Sequence, residues 1–138
     1  MQTVLDLTAF FSLVLAVLLG AVVGIEREMI HKPAGLRTHM LVCLGSCLFT
    51  IVSIGFSVDP ARIAAGIVAG IGFIGAGTIW AEKDKVQGIT TAASLWATAA
   101  IGTAVGIGDY PLAIVVTLLV FAILASRYVL KKVHLYSS

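Results

Sequence analysis

The chain has 138 residues, 59% of them hydrophobic and 12% charged, too little polar surface to cover a water-soluble globule of this size. A formal net charge of +2 is too small to point to nucleic acid as a partner. These values place the chain in a bilayer, and it divides into five apolar segments of the roughly 20 residues needed to cross roughly 30 Å of hydrocarbon.

The predicted helices run near Leu5–Ile25, Thr38–Phe56, Ala61–Trp80, Gln87–Ile107 and Tyr110–Val129. The expected fold class is an all-α membrane protein of five transmembrane helices, forming one domain over residues 1–138 with no soluble domain. The first segment has no basic residue before its apolar run and ends in Glu26-Arg27-Glu28 instead of a small-residue cleavage site, so it reads as a retained helix. Arg27, Lys32, Arg37, Lys83, Lys85, Arg127, Lys131 and Lys132 fall on one side, eight of the nine Lys and Arg residues. The side richer in these residues stays cytoplasmic, which puts the N-terminus outside and the C-terminus inside. Arg62 is then the one basic residue outside, and Asp6 lies near the outer interface.

Gly20 and Gly24 form a G-x-x-x-G that would let a neighbouring backbone come close. Lys32-Pro33-Ala34-Gly35 reads as a turn with a positive φ open to Gly35. Arg37 and His39 follow at the start of helix two, where a cation opposes the helix dipole and an anion is expected nearby. Glu26 or Glu28 in an ion pair, a lipid phosphate, or a soluble anion held with Arg27, Lys32 and Arg37 each meet that expectation; interfacial snorkelling is the simpler reading. His39, Cys43 and Cys47 form a one-turn stripe that lacks a fourth convergent metal ligand and reads as packing. Ser46, Thr50 and Ser53 line a weakly polar face suited to interhelical hydrogen bonds.

Asp59-Pro60 is a cap and first-turn pair for helix three. Arg62 in that first turn calls for a partner, with Asp59 and Asp109 the nearest acids and lipid headgroups the alternative. Gly70, Gly72, Gly75 and Gly77 crowd eight residues, and each glycine in a helix costs on the order of 1 kcal/mol relative to Ala. Close packing explains them best, a helix broken to line a site being the alternative. The loop Glu82–Lys85 reads as a solvated hairpin; no confident metal site emerges, and Glu26, Glu82 and Asp84 are weak candidates for Mg²⁺.

In helix four, Thr91, Ser94 and Thr98 make a small polar stripe expected to face protein. Trp96 near mid-helix is expected to turn its N–H to a buried acceptor, and Trp80 to sit in the interfacial belt. Gly66-x3-Gly70-x-Gly72 is echoed by Gly102-x3-Gly106-x-Gly108, so the two helices could pack there unless the echo is coincidence. Helix five is lipid-like throughout.

The runs KPAGLRTHMLVCLGSCLF (Lys32–Phe49), DPARIAAGIVAGIGFIGAGTI (Asp59–Ile79) and VQGITTAASLWATAAIG (Val86–Gly102) resemble, in this order, the transmembrane domain of the MgtC/SapB family of bacterial inner-membrane proteins. The resemblance covers about Leu18 to Tyr110. It implies a five-helix domain tied to growth at low Mg²⁺, survival inside host phagocytes and, for some members, inhibition of the F-type ATP synthase, with no enzymatic reaction. The motif residues it carries over are Glu26, Arg27, Lys32, Gly35, Arg37, Thr38, Arg62, Gly70, Gly72, Gly75, Gly77, Glu82, Gly88, Thr90, Thr91 and Trp96. Gly66 departs from the Gln usual at its position, and the cytoplasmic C-terminal domain of longer members is not expected here.

The leading expectation is a non-enzymatic regulatory membrane module that binds other membrane proteins through the glycine-rich surface of helices three and four, and self-associates, a dimer being favoured. The alternatives are a transporter or channel-like site built with Thr78, Thr90 and Thr91, and an anionic-lipid or phosphate sensor using Arg27, Lys32, Arg37 and His39. No cofactor is assigned; Mg²⁺ or a bound lipid are the ligands considered, membrane lipid is an expected partner, and no nucleic acid is expected.

Overall fold

A computed structural model describes residues 7–56, 59–83 and 85–135 of the chain. Asp6, Asp84 and the side chains of Lys131 and Lys132 lie outside the described residues. The elements are α1 (Leu7–Met29), α2 (Leu36–Phe56), α3 (Pro60–Ala76), β1 (Trp80–Glu82), β2 (Lys85–Gln87), α4 (Ile89–Gly106) and α5 (Tyr110–Leu135). Helices α1, α2, α4 and α5 are long and apolar enough to cross a membrane; α3 is apolar but shorter, at 17 residues.

α2 and α4 form the centre, with α1 laid along α2 and α5 covering α1 and α4. The main core joins Ala16, Leu19 and Val23 of α1 to Cys43 and Cys47 of α2, Ile101 and Val105 of α4, and Leu124 of α5. Ser12 and the Tyr110 hydroxyl, 2.9 Å apart, tie α1 to α5. A smaller cluster of Ile71, Leu95 and Ala99 fastens α3 to α4.

Glycine sets these spacings by having no side chain. A methyl group at Gly20 would lie 2.7 Å from the His39 carbonyl oxygen, and one at Gly24 2.8 Å from Leu36 Cα, so the G-x-x-x-G of α1 does admit the α2 backbone. From α4, a methyl at Gly102 would strike the Cys43 carbonyl and one at Gly106 would lie 2.6 Å from Thr50 Cβ. The glycine echo therefore does not join α3 to α4: its α4 copy packs on α2, while Gly66, Gly70 and Gly72 have open space where a side chain would begin.

Helix three ends at Ala76, four residues before the expected Trp80. Past Gly75 the backbone bonds tighten, Thr78 N–H donating to the Gly75 carbonyl at 2.9 Å and Ile79 N–H to Ala76 at 3.1 Å. The Thr78 hydroxyl takes the same Gly75 oxygen at 2.8 Å, and the chain enters β1. β1 and β2 pair antiparallel, Glu82 opposite Lys85 and Trp80 opposite Gln87, so the solvated loop is a β-hairpin. Gly88, at φ 89°, returns the chain into α4, and a side chain there would run into the Thr78 carbonyl. The α1–α2 turn also differs from expectation: His31, at φ 54°, takes the left-handed position and closes α1 with Lys32 N–H on the Arg27 carbonyl at 3.0 Å. A methyl at Gly35 would displace the Glu28 carboxylate from its place at the start of α2.

Overpacking a filled helix contact costs about 1–3 kcal/mol, whereas removing glycine from an open helix face gains up to about 1 kcal/mol. Gly102→Leu is therefore expected to destabilise the protein by at least that first amount and Gly70→Ala to stabilise it slightly, as read by unfolding titrations in mixed micelles.

Candidate functional site

The polar residues singled out by sequence gather mainly where α1 turns into α2. Glu28 Oε2 accepts the Leu36 N–H at 2.9 Å, so a carboxylate on α1 caps the start of α2. Free N–H groups and the positive end of the dipole favour an anion at this point. The anion expected beside Arg37 is thus supplied from within the chain.

Glu26 Oε2 lies 2.9 Å from Arg27 Nε, with both side chains 3% exposed. The contact is ionic and off the hydrogen-bond axis: both Glu26 oxygens and Arg27 Nε and Nη1 are buried without an aligned hydrogen-bond partner among the described residues. Adjacent residues on a helix do not normally face each other. Arg127 and Tyr128 of α5 are close enough to act on Arg27 electrostatically.

His39 is fully buried. Its Nδ1 lies 2.9 Å from the Gly35 carbonyl oxygen, which only accepts, so Nδ1 carries the proton and donates. Nε2 lies 3.1 Å from Ser94 Oγ on α4. Ser94 also reaches the Thr91 carbonyl at 2.8 Å, leaving its single proton two acceptors while the imidazole is neutral. Thr98 donates to the Ser94 carbonyl at 2.8 Å. The Thr91, Ser94 and Thr98 stripe therefore faces protein, as expected, and α2 is what it faces.

Other expectations are corrected. Arg27 and His39 are buried while Lys32 and Arg37 are exposed, so these four do not form one anion-binding patch. Thr91 is buried, Thr90 is exposed, and Thr78 donates its hydroxyl to the Gly75 carbonyl, so the three side chains stand in different surroundings. Glu26 is buried in the bundle and Glu82 is exposed on β1; among the described residues no three His, Cys, Asp or Glu side chains converge to hold a metal. Trp96 is 54% exposed, on the face of α4 opposite its buried stripe, and its indole finds no protein acceptor among the described residues. Close packing of the α3 glycines holds at Gly75, where a methyl would meet Ala92 Cβ at 3.4 Å, while Gly70, Gly72 and Gly77 are exposed. Thr50 of the α2 polar face donates to its own helix at Ser46, 2.7 Å away, and not across an interface.

Arg62 is exposed and makes no ion pair among the described residues. Both expected acids serve as helix caps instead: Asp59 Oδ1 accepts the Arg62 backbone N–H at 3.3 Å and Asp109 Oδ1 accepts the Leu112 N–H at 3.1 Å. Arg62 lines one end of a groove of about 700 Å³ between α2 and α3, with Thr38 at the other. Sequence reasoning missed this groove, although Gly45, Gly66 and Gly70 on its facing helices were the available signal.

Removing one partner of a buried ion pair costs about 3–5 kcal/mol, whereas replacing both with apolar groups is often neutral. Glu26→Leu is expected to show that loss and the double change Glu26→Leu with Arg27→Met to recover most of it, measured by unfolding of both variants.

A family model described as the MgtC family matches residues 13–133. YhiD of Escherichia coli strain K12, provisionally named a magnesium transporter, is 47% identical over 139 residues, covering 89% of this chain and 65% of YhiD. Protein MgtC of Salmonella typhimurium strain LT2 is 46% identical over 110 residues, 79% of this chain and 48% of that protein. A Haemophilus influenzae protein is 40% identical over 141 residues, 93% of this chain and 59% of that protein. The chain thus spans about half to two thirds of the length of these curated relatives. No solved structure matches it. With its apolar helices and a match over most of its length, the chain is a multi-pass membrane protein and belongs to the MgtC family.

Proposed function

We propose that the chain is a non-enzymatic regulatory protein of the bacterial inner membrane. It acts under Mg²⁺ limitation by contacting other membrane proteins, the F-type ATP synthase being the partner its family resemblance implies. In this reading five helices cross the bilayer, with the N-terminus outside and the C-terminus in the cytoplasm. One observation carries the contact: Ala65, Ala69, Gly72 and Ala76 of α3 are exposed at helical spacing, a small-residue stripe beside Phe73, which is 83% exposed. Such stripes let helices approach closely in lipid, where van der Waals contact takes over from the hydrophobic effect. The contact surface narrows to α3, because the α4 glycines are already filled by α2. Self-association as a dimer over the same stripe belongs to this reading.

A second reading, cation transport, is favoured by Glu26, whose carboxylate is buried in the bundle with no aligned donor. Ionisable groups held inside membrane bundles mark ion paths, and the name given to YhiD points the same way.

A photocrosslinking residue at Phe73, activated in intact cells and probed for ATP synthase subunits, is expected to give an adduct that Gly72→Leu abolishes. Without such an adduct the synthase is not the partner; a band at twice the chain's mass identifies a second copy instead. Purified protein in liposomes is expected to carry no Mg²⁺; Mg²⁺ uptake abolished by Glu26→Gln would establish transport in its place.

A further inference from the structure

The groove between α2 and α3 lies on a different side of α3 from the Ala65–Gly72 stripe. Phe49 of α2 and Ile63, Ile67 and Ile74 of α3 wall it. Its depth comes from Gly45, Gly66 and Gly70, at each of which an added side chain would meet no atom within 4 Å. Gly66 and Gly70 are exposed, so the groove opens sideways to the membrane.

Its single cation is at one end. Arg62 lies in the first turn of α3, and the α2–α3 and α4–α5 connections at that end of the bundle contain no Lys or Arg. The acids that could neutralise it, Asp59 and Asp109, are turned onto backbone N–H groups. A guanidinium at the mouth of an apolar trough is complementary to one arrangement of chemistry, a phosphate carried directly above a hydrocarbon chain. Guanidinium pairs with phosphate through two parallel hydrogen bonds and tolerates partial desolvation better than an ammonium.

The length agrees. From Arg62 to Ile74, α3 rises about 18 Å at 1.5 Å per residue, close to the roughly 15 Å that one leaflet contributes to a 30 Å hydrocarbon core. An apolar helix from another chain would cover the trough but bring no anion to the guanidinium.

We propose that this groove is a phospholipid site, with the lipid phosphate on Arg62 and one acyl chain laid over Gly66 and Gly70. The lipid then completes the α2–α3 contact that the protein leaves open. The site is independent of the partner reading, because Gly72 faces away from it.

The test uses the whole chain in nanodiscs of phosphatidylethanolamine and phosphatidylglycerol, with spin-labelled phosphatidylglycerol as the probe. Wild type is expected to hold a motionally restricted lipid. Gly66→Leu and Gly70→Leu are expected to lose it while keeping their helical spectrum, since each new side chain enters open space. Arg62→Gln is expected to weaken retention about 10-fold or more, the worth of a charged hydrogen bond, and Arg62→Lys to restore part of it; Gly72→Leu should change nothing. Equal retention in wild type and both groove variants overturns the site, as does equal retention of a spin-labelled diacylglycerol, which lacks the phosphate. A fall in oligomer mass in Gly70→Leu without loss of restricted lipid also overturns it, by assigning the groove to a protein interface.

Discussion

The structure depends on how closely α1 and α4 approach the backbone of α2. In lipid there is no hydrophobic gain from bringing two apolar helices together, so their association rests on van der Waals contact and on the few polar bonds that close approach permits. Gly20 and Gly24 give that contact between α1 and α2, and Gly102 and Gly106 between α4 and α2. The polar bonds follow from it. Only because α1 lies against the start of α2 does Glu28 reach the Leu36 N–H, and only because α4 lies against α2 does His39 reach Ser94.

The same economy governs the acids. Glu28, Asp59 and Asp109 each accept a backbone N–H at the first turn of a helix, α2, α3 and α5 in turn. A helix start inside or near a bilayer has little water to satisfy its free N–H groups, so a carboxylate is worth more there than in a surface ion pair. The consequence falls on the cations: Lys32, Arg37 and Arg62 stay exposed, and Arg27 is held only by its neighbour Glu26. The charged residues of the family's motifs therefore do not meet in one cavity: Glu26 and Arg27 are buried as a pair, while Lys32, Arg37, Arg62 and Glu82 are exposed.

Much of the architecture was legible in the sequence because its causes are local. Four apolar helices of membrane length with a shorter fifth, the Asp59-Pro60 start of α3 and the G-x-x-x-G of α1 each depend on residues within a few turns of one another. The errors arose where the cause lay on another helix. Gly66-x3-Gly70 and Gly102-x3-Gly106 have the same spacing, yet one faces a groove and the other the α2 backbone; spacing does not report the neighbour. Trp96 was assigned a buried acceptor from its depth alone, but the helix face that Thr91, Ser94 and Thr98 turn inward leaves the indole outside. The groove was illegible for the same reason, since it exists only where three glycines on two helices come opposite each other.

Helix α3 is thereby set apart. Its 17 residues rise about 26 Å, less than a full hydrocarbon core of roughly 30 Å. Non-helical backbone at that depth survives only where its N–H and C=O groups are met. The β1–β2 hairpin does not meet this condition, because its two strands pair only with each other, Trp80 opposite Gln87, and all six of their residues are exposed, which suits a loop in contact with water. The tightened turn at Gly75–Ile79 and Gly88, which alone fits against the Thr78 carbonyl, fix that hairpin on α4. One end of α3 is tied to α4 by the hairpin and by Gly75 against Ala92, and the groove toward α2 runs along the helix from Ile74 to Arg62. A short helix held at one end and open along two faces is the part of this bundle best placed to respond to what lies beside it in the membrane.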